Sequence, residues 1–482
     1  MTSLKKNMAY NVAYQILAII LPLITAPYVS RVLGADGVGT YSYIYSIASY
    51  FGLFGMLGIS NHGNRSIALS KGDHEKVSQT FWNIYAVQAT TTIVALVLYL
   101  MFVTCIFTGN KPVAYLLGLF VLSYVLDISW CFFGLEQFVV TVTRNAIIKI
   151  LTVVGIFLFV RERDDVAIYA AIMSLGTLVS QAYLWLMLKK HISFRKPQWA
   201  GVKDAIKPIL MLFIPAIAYS VYKLLDKVML GSLTTVSEVG LFDNAEKIVN
   251  IPSSLITAFG TVMMPRVSTL LAGDAQDAVD RLNAISFRYF TLLVVGAAFG
   301  LLGVSSVLAP VYFGSEFVGS APIICGLGFS LIFVTWANII RTQYLIPKKL
   351  DTTYVVSTII GACVNLAVNL VLIPRIAGLG AMVGTIAAEF SVFIAQAIIV
   401  RREFPVAGYL IQTIPMFFIG AVMAVAVFVV GNLLGESVST LAIQVLVGGM
   451  LYLLLAFSLL LVMKDTTLLN VLHKIRDKKE GR

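Results

Sequence analysis

Residues 227–242 read KVMLGSLTTVSEVGLF and join two apolar runs, at about 208–231 and 238–263. Each run carries three ionisable residues at positions i, i+3 and i+4. They are Lys223, Asp226 and Lys227 in the first run, and Asp243, Glu246 and Lys247 in the second. This spacing places each triplet on one face of a helix. A charge at the middle of a membrane helix costs about 2.5–3.5 kcal/mol on insertion scales. The pattern therefore predicts two membrane helices whose polar faces line a path, and the lysines indicate an anionic substrate.

The same motif occurs near the N-terminus, where residues 31–41 read RVLGADGVGTY. Both stretches have a basic residue, a short apolar run, a glycine, a polar turn, and then Val-Gly-x-aromatic. The correspondence predicts two repeated halves of six spans that enter the membrane from the same side, related by an axis normal to it. Coincidence among glycine-rich loops is the alternative.

The composition is typical of a polytopic membrane protein. Of 482 residues, 59% are hydrophobic and 12% charged, whereas soluble domains have about 25% charged residues; the mean hydropathy is +0.89. Apolar windows of about 20 residues predict an all-α fold of fourteen transmembrane helices. Their approximate limits are 9–30, 39–60, 79–107, 111–135, 142–160, 166–188, 208–231, 238–263, 286–310, 320–344, 352–373, 378–400, 408–431 and 438–463.

The basic residues predict the orientation of these spans. Of the 35 lysines and arginines, 26 fall in one set of alternate loops and termini or in the span ends beside them, five in or beside the opposite set and four deeper within spans. By the positive-inside rule, the rich side is cytoplasmic and both termini lie there. The net charge of +11 is spread over short loops, so it does not indicate a nucleic-acid partner.

The span pattern divides the chain into five predicted parts. They are an N-terminal six-helix lobe (1–190), a basic cytoplasmic linker (191–207), a C-terminal six-helix lobe (208–402), helices 13 and 14 (403–463) and a basic cytoplasmic tail (464–482).

Motifs of catalysis and metal binding are missing from the sequence. It has no GxxxxGK[ST], HExxH or GxSxG motif, and its predicted outer loops are short. The four cysteines lie in or beside apolar spans without a CxxC pair and are interpreted as small core residues. The sequence therefore predicts binding and conformational change rather than an enzyme, with no catalytic residue, no metal and no cofactor.

The N-terminal region resembles a known family. The stretch Lys6-Asn7-Met8-Ala9-Tyr10-Asn11, the prolines Pro22 and Pro27, and residues 31–42 are similar to the start of Wzx-type polysaccharide flippases. These flippases belong to the multidrug/oligosaccharidyl-lipid/polysaccharide exporter superfamily. Gly378-Leu379-Gly380-Ala381, before the twelfth span, is similar to the same family.

The resemblance implies a function and a cellular location. It implies two six-helix lobes around a cleft, in a bacterial cytoplasmic membrane. The implied substrate is a polyprenyl-diphosphate-linked oligosaccharide, moved from the inner to the outer leaflet by alternating access. Membrane lipid, polysaccharide polymerase and glycosyltransferases are the implied partners, and spans 13 and 14 could shape a groove for the polyprenyl tail.

The candidate site residues follow from the triplets, the repeat and the resemblance. Candidates for substrate binding are Lys223, Lys227, Lys247, Arg31 and Arg65. Candidates for ion coupling are Asp226, Asp243, Glu246, Asp127 and Glu389.

Each candidate has a structural alternative. The triplets could be internal ion pairs, Lys223 and Lys227 with Asp226 for example. Arg31 could be an interfacial anchor and Arg65 a simple positive-inside residue. Asp127 and Glu389 could hydrogen-bond between helices.

The tyrosines of the second span have two interpretations as well. They could stack on sugars, and an outer aromatic belt accounts for the first three more simply. They are Tyr41, Tyr43, Tyr45 and Tyr50.

Three other functions are alternatives to the flippase. A multidrug exporter of the same superfamily carries cations and would need a cavity dominated by acids. A lipid II-type flippase of the same superfamily shares the layout. A membrane-embedded polymerase or ligase would need a large outer loop or domain.

Overall fold

A computed structural model describes residues 2–273 and 275–470, apart from the side chains of residues 2–16, 18, 19, 138, 214–216, 218, 219 and 221–223. These residues form helices joined by short turns, and no strand occurs among them. The first seven α-helices are α1 (Thr2–Met56), α2 (Ile59–Ser70), α3 (His74–Cys105), α4 (Lys111–Leu126), α5 (Ser129–Gly134), α6 (Phe138–Phe159) and α7 (Val166–Leu188).

Eight further α-helices follow. They are α8 (Trp199–Leu233), α9 (Val236–Ala272), α10 (Gln276–Leu308), α11 (Ser320–Ile340), α12 (Asp351–Val400), α13 (Val406–Ile411), α14 (Ile414–Leu434) and α15 (Val438–Val462). Short 3-10 turns precede α7 and α11, and five-residue π-helical segments extend α10 and α11.

Two of the predicted loops are breaks inside long helices. The loop expected at 31–38 is replaced by a single residue, Gly34, with φ 68° and ψ −179°. Glycine adopts this left-handed φ without steric cost, so α1 bends and continues. Likewise α12 is interrupted only at Ile376 and Ala377. Charged residues beside these breaks end the apolar windows, so the sequence predicts loops there. The backbone, however, needs only one or two non-helical residues to change direction.

The helices accommodate the predicted fourteen spans. Eleven helical segments among the described residues are long and apolar enough to cross a membrane. Each break divides its segment into two crossings, and α8 adds one more. The prediction of an all-α polytopic membrane protein is confirmed.

The described residues form two compact units. Unit 1 comprises Met1–Asp243 with Ile373–Gly378, and unit 2 comprises Asn244–Leu372 with Leu379–Arg482. The lobe boundaries drawn from the sequence stay a prediction.

Unit 1 is held together at one end by a polar link inside its aromatic core. Trp130, fully buried, donates its indole N–H to Gln88 Oε1 at 2.8 Å. The Gln88 amide in turn donates to the carbonyls of Tyr124 and Asp127. Because Gln88 is fully buried within α3, these bonds offset the cost of removing its amide from water. They tie α3 to the turn between α4 and α5.

The two repeated Val-Gly motifs contact each other in unit 1. A Cβ atom at Gly39 of α1 would overlap the carbonyl oxygen of Val236 and lie 2.9 Å from the Gly240 nitrogen. A Cβ at Gly240 of α9 would overlap the carbonyl oxygen of Ala35. Small residues let membrane helices approach backbone to backbone. The glycine of each motif thus provides the contact between α1 and α9.

The first half of the predicted linker is fastened to α3. The Ser193 N–H donates to Ser78 Oγ at 3.1 Å, and the Trp82 indole donates to the Ser193 carbonyl at 3.0 Å. The Gln198 N–H donates to Asn83 Oδ1 at 2.8 Å. The second half, from Trp199, is already helix α8.

Unit 2 has an apolar core where α14 and α15 pack on α10. At one end of this core, Asp465 accepts hydrogen bonds from Arg288, from the Tyr289 hydroxyl at 2.8 Å and from the Leu468 N–H at 2.8 Å. Burial opposes the ionised form of Asp465, but these donors outweigh it and hold the pKa of this carboxyl below its usual range. The contacts fix the chain after α15 to the start of α10.

Candidate functional site

The two charged triplets lie on neighbouring helices joined by a tight turn. Only Thr234 and Thr235 separate α8 from α9. Lys227 lies six residues before the end of α8 and Asp243 seven residues after the start of α9, so the two are level with each other. Asp226 is buried next to Lys227. Lys223 is on α8, and its side chain lies outside the described part of the chain.

An ion pair joins the triplets. Lys227 Nζ donates to Asp243 Oδ1 at 2.6 Å, and the two side chains are 15% and 8% exposed. The spacing within either triplet did not predict this pairing. Two unit charges 4 Å apart attract by about 4 kcal/mol at an effective dielectric of 20. Removing one partner of a buried pair costs about 3–5 kcal/mol, since the other charge is left uncompensated.

Three tyrosines lie within electrostatic range of this pair, and we call them the tyrosine cluster: Tyr41 and Tyr45 of α1, and Tyr169 of α7. Tyr41 and Tyr45 stack with ring centroids 5.6 Å apart, and Tyr169 meets Tyr41 edge-on at 4.7 Å. Asp243 interacts electrostatically with all three, and Lys227 interacts with Tyr45. The site thus combines a cation, a carboxylate and three phenols, which can donate to anions and stack on sugar rings.

Tyr41 does not belong to an outer aromatic belt. Tyr41 is only 9% exposed, whereas a belt residue lies at the lipid surface. The Tyr43 hydroxyl is 3.1 Å from Ser232 Oγ, and its ring covers Gly231. Tyr50 interacts electrostatically with Asp226. Tyr43 thus contacts α8 inside unit 1, while Tyr41 packs against Tyr45 and Tyr169.

Two carboxylates near the site escaped the sequence analysis. Glu238 Oε2 accepts the Gly378 N–H at 3.0 Å, at the break in α12. Asp36 accepts a hydrogen bond from Ser237 Oγ, at the start of α9. Tyr169 was missed as well, because its distant position in the chain gave no signal. Glu238 did have a signal in the sequence, because it directly precedes the repeated Val-Gly motif.

The rest of the second triplet lies in unit 2. Lys247 Nζ donates to Asn244 Oδ1 at 3.0 Å, one turn earlier on α9. Glu246 is half-buried on the same helix. Glu389 is buried on α12. Their roles in binding or coupling stay predictions.

The two arginine candidates are exposed. Arg31 lies three residues before the Gly34 break, and Arg65 is on α2. Their predicted contact with substrate stays a prediction. In residues 2–273 and 275–470, no group of three His, Cys, Asp or Glu residues could hold a metal ion.

Asp127 lies in a helix break. It follows the last residue of α4, and its Oδ1 accepts the Ser129 N–H, the first of α5, at 3.0 Å. A short polar side chain commonly satisfies such an exposed backbone N–H. The structure therefore gives Asp127 a local structural contact in addition to its predicted coupling role.

Substituting Asp127 separates these two roles. Asparagine can accept the same backbone bond but cannot carry a charge or a proton. If the local contact is the whole role of Asp127, Asp127→Asn keeps both stability and transport, and this is the result that we expect. Asp127→Ala should lose about 1 kcal/mol of stability. Thermal unfolding and transport of both variants check this. Loss of transport in Asp127→Asn at wild-type stability would assign Asp127 to ion coupling.

The family and curated relatives point to polysaccharide assembly. A family model described as "Polysaccharide biosynthesis protein" matches residues 4–271. A "Putative O-antigen transporter" of Escherichia coli (strain K12) is 23% identical over 83% of this chain and 97% of its own. A "Probable low-salt glycan biosynthesis flippase Agl15" of Haloferax volcanii is 26% identical over 52% of each chain.

A solved structure shares the fold. The "Lipid II flippase MurJ, inward closed conformation" superposes with a TM-score of 0.70 at 14% identity, covering 95% of this chain and 100% of that one. Over that length the chain therefore has the same fold as that protein.

Proposed function

The chain belongs to the polysaccharide biosynthesis protein family, and from this premise we propose that it is a flippase for a polyprenyl-diphosphate-linked oligosaccharide. The substrate moves from the cytoplasmic to the outer leaflet of the bacterial cytoplasmic membrane. The protein is a transporter and not an enzyme. Glycosyltransferases act before it and a polysaccharide polymerase after it. Both termini are cytoplasmic, as the distribution of basic residues indicates.

The observation that carries this proposal is the buried pair of Lys227 and Asp243 beside the tyrosine cluster. A diphosphate entering a membrane cavity loses much of its hydration, so it needs cations and hydroxyl donors within reach. Lys227 supplies the cation and the phenols supply donors. Aromatic faces also offer a surface on which sugar rings can rest.

Binding proceeds by exchange of partners. The diphosphate competes with Asp243 for Lys227, and the freed carboxylate takes a proton or hydrogen bonds from tyrosine hydroxyls. The Lys227 ammonium therefore has an anionic partner throughout the cycle. Release of the substrate re-forms its ion pair with Asp243. Lys223 and Lys247 add positive charge on the same two helices. Arg65 contacts the headgroup when it enters from the cytoplasm. Arg31 lies at the outer end of the first span.

Alternating access completes the cycle. The polyprenyl tail remains in lipid while the headgroup crosses, and the helices then rearrange toward the outer side. The membrane potential supplies about 2.3 kcal/mol per charge per 100 mV. Asp226, Asp243 and Glu246 are the proposed coupling groups because they lie beside the lysines.

Transport by purified protein in liposomes tests this function. An undecaprenyl-diphosphate-linked oligosaccharide is placed in the inner leaflet, and its arrival outside is followed with a membrane-impermeant glycosidase. We expect translocation well above that of protein-free liposomes, and none of a fluorescent organic cation. Transport of the cation alone would identify a multidrug exporter. Transport of lipid II alone would identify the lipid II-type alternative.

A further inference from the structure

The first turns of α8 carry an exposed face that the transport site does not use. Trp199 is 70% exposed, and Lys203, Ile206, Lys207 and Leu210 follow it at positions i+4, i+7, i+8 and i+11. This spacing places them on one side of the helix. The opposite side is buried through Ala205 and Ile209, so the exposed face has a fixed orientation in unit 1.

This face contains a shallow, open surface depression with charged edges, which we call the cavity. It has a volume of about 390 Å³ and is lined by residues of α8 alone: Lys203, Ile206, Lys207, Leu210 and Met211. Its walls are apolar apart from the two lysines, which are one helical turn apart. Lys203 Nζ is 5.3 Å from the centre of the Trp199 ring. Tryptophan in such a place is typical of the boundary between lipid and water.

The charges of the face favour an anion with an apolar chain. Neither Lys203 nor Lys207 forms an ion pair within the part of the chain that the structure describes. Asp204 is exposed and lies three residues before Lys207, on a neighbouring position of the helix surface, yet no ion pair joins the two in the part of the chain that the structure describes. A single phosphate can contact both ammonium groups, and the groove beneath them matches the first part of an acyl chain.

We propose that the first turns of α8 bind one anionic phospholipid of the cytoplasmic leaflet. Its phosphate lies between Lys203 and Lys207, and an acyl chain occupies the cavity beside Ile206, Leu210 and Met211. Basic pockets at the membrane surface recognise such headgroups by charge. The bound lipid holds the first turns of α8 in place. Lys227 lies about six turns further along the same helix.

Native mass spectrometry of the full-length protein in detergent tests this site. The probes are phosphatidylglycerol and phosphatidylcholine with identical chains. We expect phosphatidylglycerol to be retained more, and Lys203→Gln/Lys207→Gln to reduce that retention about fivefold or more. Lys189→Gln/Lys190→Gln, which removes two exposed lysines at the end of α7, is the matched control and should retain the lipid. Melting temperatures of both variants exclude misfolding.

Three results would overturn the proposal. The first is equal retention of the two phospholipids by the wild type. The second is an equal loss in both double variants, which would indicate a general effect of surface charge. The third is that the α8 double variant keeps phosphatidylglycerol but loses undecaprenyl diphosphate, which would make the cavity a substrate entry site. Leu210→Gln should weaken retention of long-chain but not of dihexanoyl phosphatidylglycerol, and equal weakening of both would contradict the assigned chain position.

Discussion

Replacing Lys227 with alanine is expected to lower the rate of headgroup translocation about tenfold or more. Loss of a contact worth only about 1.4 kcal/mol already gives a factor of ten, and a cation near a desolvated phosphate contributes more than that. The same change leaves the carboxylate of Asp243 without its cation, 2.6 Å away in the wild type. Unfolding should therefore become easier by about 3–5 kcal/mol, which thermal unfolding in detergent measures.

A double variant separates the two effects. Lys227→Met/Asp243→Asn removes both charges and keeps similar volumes, and such replacements of buried ion pairs are often neutral or stabilising. Its melting temperature should return close to that of the wild type, while translocation stays low because the diphosphate no longer meets the ammonium of Lys227. Recovery of transport together with stability would contradict the substrate role and leave the pair as a structural brace.

Alanine at Gly39 or at Gly240 is expected to disrupt unit 1. The added methyl group would overlap a backbone carbonyl oxygen at either position, that of Val236 or that of Ala35. Overpacking usually costs about 1–3 kcal/mol, and here no side-chain rotation can relieve it because the obstacle is backbone. We expect a lower melting temperature and little or no transport from either variant.

Gly449→Ala is the matched control for this prediction. Gly449 also lies in a membrane helix, and a Cβ there has no neighbour within 4 Å among the described atoms. Replacing a helical glycine in open space should be neutral or stabilise by about 0.5–1 kcal/mol. If all three alanine variants melted at the same temperature, the close contact between α1 and α9 would be refuted.

The sequence predicted the spans well because lipid imposes a simple rule on composition. Apolar length alone identifies a membrane helix, and the alternation of basic loops supported the number of spans. The breaks at Gly34 and Ala377 were interpreted as loops because composition does not reveal that a helix can turn over one or two residues. The resemblance to the exporter superfamily is confirmed by the family match and the shared fold.

The candidate site was predictable only in part. The triplets identified Lys227 and Asp243, because charges in apolar spans are costly and rare. Their pairing depends on the two-residue turn between α8 and α9, which sets the register of the helices. Tyr169 lies on α7, and its approach to Tyr41 is a tertiary contact that no local pattern records. The repeat predicted both glycines but not that they meet.

The initial rate of headgroup translocation by Lys223→Ala/Lys227→Ala/Lys247→Ala in liposomes tests the central claim most directly. Lys76→Ala/Lys189→Ala/Lys190→Ala removes three exposed lysines outside the triplets and serves as its control. If the lysines of α8 and α9 bind the diphosphate, the first variant falls to the level of protein-free liposomes and the control keeps the wild-type rate. A wild-type rate in the first variant would contradict the cationic site.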